Sequence, residues 1–258
     1  MQEYDNAGLL IMNREDTTLL EETKKLAKGS LENAEQLYKK VKQVKVIKMA
    51  DMLGVERYSA DERTHDTVFE GSKFPLKRLS DVSIGVRALD EDEGVRASGE
   101  QDVEVELPVI EPEHVKTLRF NDDDAQRANV TEKVFNEHGL KGGDIVMAVS
   151  GPLAGTSAIV PIFHGGALAG KGCLGLRPLT GECESFYLLN VLHFLYNTGL
   201  LTGEDIPVDT LLQVQIPVPP PNLQDEIAGV MLSLSGVMVA QEAAMAEAWK
   251  LLSMIEGS

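Results

Sequence analysis

LLQVQIPVPPPNLQDEIAGVM, Leu211 to Met231, sets a strand-like run, four prolines and the start of a long helical pattern in immediate succession. Proline holds φ near about −65° and has no N–H for a ladder. Pro217, Pro219, Pro220 and Pro221 therefore end the strand and force an extended crossing. Asn222 is placed to cap the helix that follows, and Asp225 and Glu226 are expected in its first turn, where acid complements the dipole. The stretch is a junction between a β-containing body and a helix.

Downstream, with Ile227 as position a, the a and d sites read Ile227, Val230, Leu234, Val237, Gln241, Ala244, Ala248, Leu251 and Ile255. The e sites add Met231, Met238, Met245 and Leu252, a stripe wider than a two-stranded seam. Ile227, Met231, Leu234, Met238, Gln241, Met245 and Leu252 are the expected contacts for a partner or dimer helix. Gln241 is the polar core residue that can fix register.

Upstream the body begins at Phe74. Short apolar pieces follow, bounded by turn residues: PLKRLSDVSIGVRAL, VEVELPVI, HVKTLRF, GDIVMAVSG, TSAIVPIF, CLGLRPL and LLQVQIPV. They read as strands of a mixed sheet or barrel-like domain. Acidic segments, ALDEDEGVRASGEQD and NDDDAQR, separate them as surface loops. One helix interrupts, Phe186 to Leu201, with Phe186, Leu189, Leu192, His193 and Tyr196 on one face and a stop at Gly199; His193 is read as a packed, hydrogen-bonded side chain. Before the body, Thr17 to about Met52 has helical periodicity through Leu20, Ala27, Leu31, Ala34, Leu37, Tyr38, Val41 and Val44, with an interruption expected at Gly29-Ser30. Met49 to Asp66 has the small-residue look of a helix-turn-helix, but its second half carries Glu56, Asp61, Glu62 and Asp66. A polar connector is the expectation there. The fold class is thus α+β: residues 1–73 a helical segment and connector, 74–220 a mixed β domain, 221–258 a long helix.

The order of KGGDIVMAVSGPLAGTSAIVP, an aromatic-rich helix and the Pro-rich junction resembles the target-recognition half of a type I restriction-modification specificity subunit. Gly143, Asp144, Ile145, Ser150, Gly151 and Gly155 match that family's GDI strand and small-residue turn. Ile216, Pro217, Pro219, Pro220, Gln224 and Ile227 match its strand-to-helix junction, and FPLKRLSDVSIG, Phe74 to Gly85, resembles its opening phrase. The resemblance implies a non-catalytic DNA reader that positions a methyltransferase. One recognition-like domain between two helices is half the usual plan, so two copies associating through helices would restore a two-fold reader; an accessory or fused half is the other arrangement. Candidate DNA-binding side chains beside the matching turns are Arg119, Asn121, Arg127, Lys133, Ser150, Thr156, Lys171 and Arg177. Arg177 is equally placed to be pinned by a neighbouring carboxylate.

Charge opposes that reading. The chain carries 24 basic and 41 acidic residues, a formal charge of −17, and within residues 74–220 acids outnumber bases 22 to 11. Affinity for nucleic acid rests largely on Lys and Arg. The competing expectation is therefore a protein-interaction module of the same fold that has lost DNA binding or mimics DNA charge.

Catalytic motifs are not matched. GALAGKGC falls short of GxxxxGK followed by Ser or Thr, and VSGPLAG lacks a nucleophile elbow. Cys173 and Cys183 have no zinc-ligand spacing with His193. Their thiols are expected buried and reduced, no metal or cofactor is expected, and the PVPPPN phrase lacks a methyltransferase tetrapeptide's polar residue. No apolar run reaches the roughly 20 residues of a membrane span and the N-terminus lacks a signal peptide's basic flank, which gives a soluble cytoplasmic expectation.

Overall fold

The computed structural model describes residues 14–55, 69, 71–88, 104–116, 119–201 and 203–256. The expected polar connector falls largely on 56–68, and the acidic loop after Ala88 on 89–103, both outside the described residues. Two compact units emerge, one of residues 1–44 with 233–258 and one of 45–232. These divisions fall inside the helices, whereas the sequence suggested breaks at 73 and 220.

Helix α1 runs Arg14–Leu53 without a break. The interruption expected at Gly29 does not occur. A helical Gly costs only about 1 kcal/mol relative to Ala, and Gly29 has open space around it. In the first unit Ala27 and Leu31 of α1 form a small core with Ala248 and Leu252, against which Met245 packs. These last three belong to α6, Pro221–Glu256.

The second unit is built on strands β1 (Leu76–Arg78), β2 (Ser83–Arg87), β3 (Glu104–Ile110), β4 (Val115–Lys116), β5 (Arg119–Phe120), β6 (Arg127–Thr131), β7 (Gly139–Leu140), β8 (Ile145–Ala148), β9 (Ser157–Ile159), β10 (Ala167–Ala169), β11 (Cys173–Pro178) and β12 (Gln215–Pro217). Helices α2 (Leu79–Val82), α3 (Glu132–His138), α4 (Ser185–Asn197) and α5 (Val208–Gln213) lie between them. One four-stranded sheet is ordered β2-β11-β8-β9 and a second β6-β3-β10-β7, with two-stranded pairs β1-β12 and β4-β5. The first sheet is antiparallel throughout. The second contains one parallel pair, β3 with β10, Leu168 opposite Val109. Val86, Ile110, Leu140, Val146, Ala148, Ala158, Ala167, Ala169 and Cys173 form a common core drawn from both sheets, which is the barrel-like packing expected of alternating apolar strands. A second cluster, Leu107, Val130 and Leu168 with Val134 and Phe135, covers the β3–β6 side with α3.

Every predicted strand segment carries a strand, but three features differ. Strands β6, β7 and β10 and helix α3 were not expected, because RANVT, GL and ALA are too short and too weakly patterned to stand out. In LLQVQIPV only Gln215–Pro217 is extended; Val208–Gln213 is helical. Helix α4 is not one-faced: Tyr187 to Leu195 are all buried, while Phe186 and Tyr196 are only half-buried. A helix buried on all sides must satisfy its polar side chains internally. Tyr187 Oη donates to Pro217 O at 2.6 Å, Asn190 Nδ2 to Phe186 O at 2.6 Å, and His193 Nε2 to Ser157 O at 3.0 Å.

The Pro-rich junction is assembled by long-range contacts. β1 and β12 pair antiparallel, Leu76 opposite Pro217 and Arg78 opposite Gln215, so the opening phrase FPLKRL and the Pro-rich strand are neighbours. Lys77 also bonds Glu182. Helix α6 starts at Pro221, the bound expected for the C-terminal segment but two residues ahead of the start that an Asn222 cap would give. Pro221 occupies the first helical position, where a missing N–H costs nothing, so Asn222 is inside the helix and Asp225 and Glu226 lie beyond its first turn. Leu223 N and Gln224 N donate instead to Pro220 O, at 2.9 and 3.1 Å.

Candidate nucleic-acid interface

The GDI element is a structural clamp. Gly143 takes φ 91° and its N–H donates to Val160 O at 2.9 Å. Asp144, 3% exposed, accepts from Lys141 N at 2.8 Å and from Arg177, whose Nη2 lies 2.7 Å and Nε 3.1 Å from its carboxylate. Arg177 Nη2 also donates to Gly139 O at 2.7 Å. One guanidinium thus ties β11 to the turn before β8 and to β7. Of the two roles open to Arg177, the structure assigns pinning by a carboxylate.

The small-residue turn that follows is shaped by what it touches. Gly155 has φ 95°, and a Cβ there would lie 2.0 Å from Leu201 O. Val149 N donates to Gly172 O at 2.7 Å and Gly151 N to Glu204 O at 2.7 Å. Ser150, half-buried, forms a β-bridge with Asp205. Thr156 is 7% exposed and its hydroxyl donates to Leu153 O at 2.7 Å, so it is an internal residue and not a surface donor.

Asn121, Arg127, Lys133 and Lys171 are exposed. Asn121 and Arg127 stand at the two ends of the loop that feeds β6, and Lys133 lies in the first turn of α3, capped by Thr131. Lys171 sits in the turn between β10 and β11, and its backbone N–H bonds the Glu111 carboxylate. Burial, then the nearby Glu113 charge, raises the Glu111 pKa. Arg119 lies in β5 opposite Lys116; its side chain is outside the described set. The surface near Arg127 is mixed in sign: Arg127 pairs with Pro108, and the exposed Glu106 is two residues along the same strand.

Two histidines absent from the sequence-derived site organise this region. His114 Nδ1 accepts from Glu111 N at 3.0 Å and His164 Nδ1 from Gly166 N at 3.1 Å. Each therefore carries its proton on Nε2, which faces Asp124 at 3.8 Å and Asp122 at 3.3 Å respectively. Only Asp122 is thereby held in hydrogen-bond reach; Asp123 and Asp124 are exposed, as a solvated acidic run would be. No sequence signal marks these pairs, because Asp122 and His164 are 42 residues apart. Among the described residues, no three His, Cys, Asp or Glu side chains converge as metal ligands would. Cys173 and Cys183 are free and buried, and burial pushes both thiols up to about 12.

No protein family and no curated protein matches the chain. Solved structures do. The HsdS subunit from Thermoanaerobacter tengcongensis superposes with a TM-score of 0.57 at 17% identity, covering 93% of this chain and 55% of that one. A structure described as the basis of complex assembly and conformational transition of the type I R-M system gives 0.59 at 18%, covering 94% and 57%. The type I restriction-modification S subunit from M. genitalium gives 0.55 at 13%, covering 94% and 60%. The chain has the fold of a type I S subunit. It spans 55–60% of the length of those three structures.

Within this S-subunit fold the residues expected to contact a partner or dimer helix lie on the more buried side of α6. Ile227, Met231, Met238 and Leu252 are each at most 4% exposed, Leu234, Gln241 and Met245 are partly buried, and Met245 and Leu252 pack on α1. The face left open in the first unit is the adjacent one: Val237 is 45%, Leu251 48% and Met254 64% exposed, with Leu26 and Leu37 open on α1. Helix α6 also contains a stretch long and apolar enough to cross a membrane, contrary to the sequence count. The packing of Ala248 and Leu252 on α1 accounts for part of its apolar character.

Proposed function

We propose that the chain is a cytoplasmic DNA sequence-recognition subunit, without catalysis of its own, that positions a partner DNA methyltransferase or restriction complex. The observation that carries this reading is the S-subunit fold over 93–94% of the chain. Asn121, Arg127, Lys133 and Lys171, with Ser150 and Arg119, are the DNA-facing candidates; Arg177 and Thr156 support them from within. A second copy is proposed to pair with this one, since a two-fold reader suits paired half-sites. It would seat on the open helix face of Val237, Leu251 and Met254.

The acid excess favours one competitor, an interaction module of the same fold that does not bind DNA. Selection from a random duplex pool at low and moderate salt separates the two. Enrichment of a short motif, with affinity falling as salt rises, is the expected result, since each phosphate contact releases counterions. No retention at any salt would assign the chain to the interaction class.

A further inference from the structure

The loop from β9 to β10, VPIFHGG, Val160 to Gly166, exposes two adjacent apolar side chains. Phe163 is 100% exposed, the most open large hydrophobic residue among those described, and Ile162 is 69% exposed. A phenyl ring left in water forgoes what burial would contribute, so its placement calls for a ligand.

The ring is not on a slack loop. Gly143 N donates to Val160 O at 2.9 Å and His164 N closes a turn on Pro161 O at 2.9 Å. His164 accepts from Gly166 N and faces Asp122, which ties the tip to the loop of Asn121. On the other side Gly142 abuts Ile162 so closely that a Cβ would come within 2.6 Å of Ile162 O. Lys141 is next to that contact. The two contacts that fix the tip thus fall beside Lys141 and Asn121 in the chain; the Lys141 ammonium lies 3.4 Å from Asn136 O and over the Phe135 ring, and Asn121 is exposed. The neighbouring Asp122 carboxylate is turned to His164.

A tip two side chains wide has the size of a wedge; a stable protein interface buries roughly 800 Å² per partner. We propose that Phe163 stacks on a nucleobase of bound duplex DNA, backed by Ile162, as apolar wedges do at base steps. The inference rests on the DNA-recognition reading above. It also bears on the charge problem, because base–aromatic stacking adds affinity without a cation.

The test uses the full chain and a mixed-sequence duplex of about 30 base pairs, a length near three turns of DNA. Phe163→Ala should weaken binding about tenfold while the slope of log affinity against log salt stays that of the parent, since no phosphate contact is lost. Thermal unfolding should be unchanged because the ring touches nothing in the fold. A second variant, Phe163→Trp in a Trp249→Phe background, carries a single tryptophan, as the chain has one. Its emission should be quenched on saturation with the duplex. Equal affinity of Phe163→Ala and parent, or unquenched emission at saturation, overturns the proposal. So does a blue shift that follows protein concentration without DNA, which would place the ring in a protein contact. If the parent itself never binds duplex, the DNA-recognition reading fails and takes this inference with it; parent binding with an indifferent Phe163→Ala sinks the inference alone.

Discussion

Asp144 and Arg177 show how a motif residue can be structural. A buried carboxylate needs a paired charge and further donors, and Asp144 has Arg177 and the Lys141 N–H. Removing one member leaves the other buried and unpaired. Arg177→Met should lower stability by about 3 kcal/mol, read by urea denaturation, and Arg177→Lys should recover little of it, because lysine cannot span Asp144 and Gly139 O together. Lys45 and His193 form a second buried pair, Nζ 3.4 Å from Nδ1. Burial lowers Lys45 from 10.5 to about 8. The unfolded chain then holds more protons between those values, so this group's contribution rises with pH across about 8 to 10.5 and is lost as pH falls through 8. The urea midpoint of the parent, relative to Lys45→Met, should therefore shift in the parent's favour from pH 7.5 to 10 (two measuring points on either side of about 8). His193, lowered to about 3 by burial and then by the Lys45 charge, stays neutral, and its contribution is lost as pH falls from 6.5 through 3.

Among the elements, the Pro-rich junction depends on one glutamine. Gln224, 1% exposed, donates to Glu182 O at 3.1 Å and Pro219 O at 2.8 Å and accepts from Glu184 N at 2.8 Å. It locks the loop that caps α4 to the first turns of α6, a role proline alone does not fill. Gln224→Ala would remove the partner of three backbone groups, the Pro219 carbonyl buried and the Glu182 carbonyl and Glu184 amide part-buried, at about 1 kcal/mol each. The expected loss is about 3 kcal/mol, with faster hydrogen exchange at the Glu184 amide as the local signature. Of this element the sequence disclosed the end of the strand and the start of the helix. Gln224 stood out only through the family resemblance, since its partners lie 5, 40 and 42 residues away. The all-round burial of α4 was likewise missed: the sequence marked one packed face, His193 included, and what covers the other side, such as Pro217 O against Tyr187 Oη, is distant in the chain.

For the molecule as a whole, the helix faces decide assembly. Met238 and Val237 are sequence neighbours, yet one is 2% and the other 45% exposed. Met238→Glu should destabilise the fold, by about 3 kcal/mol for a buried charge without a partner. Val237→Glu with Leu251→Glu should leave the unfolding midpoint near that of the parent while abolishing self-association in sedimentation equilibrium. Unchanged association of that double variant would place the second copy elsewhere.

The sequence by itself determined the element types and their order: long helices at both ends, seven strand segments, a proline-enforced strand-to-helix crossing and buried, unreactive thiols. These follow from local rules, the periodicity of apolar side chains and the fixed φ of proline, which need no distant partner. Only the tertiary structure decided which helix stripe is internal and which is open, and that Arg177 and Thr156 face inward. It also revealed that His164 holds Asp122 at the start of the acidic loop. Each of those depends on side chains far apart in the chain meeting in space, and a pattern of neighbours along the chain carries no record of such pairs.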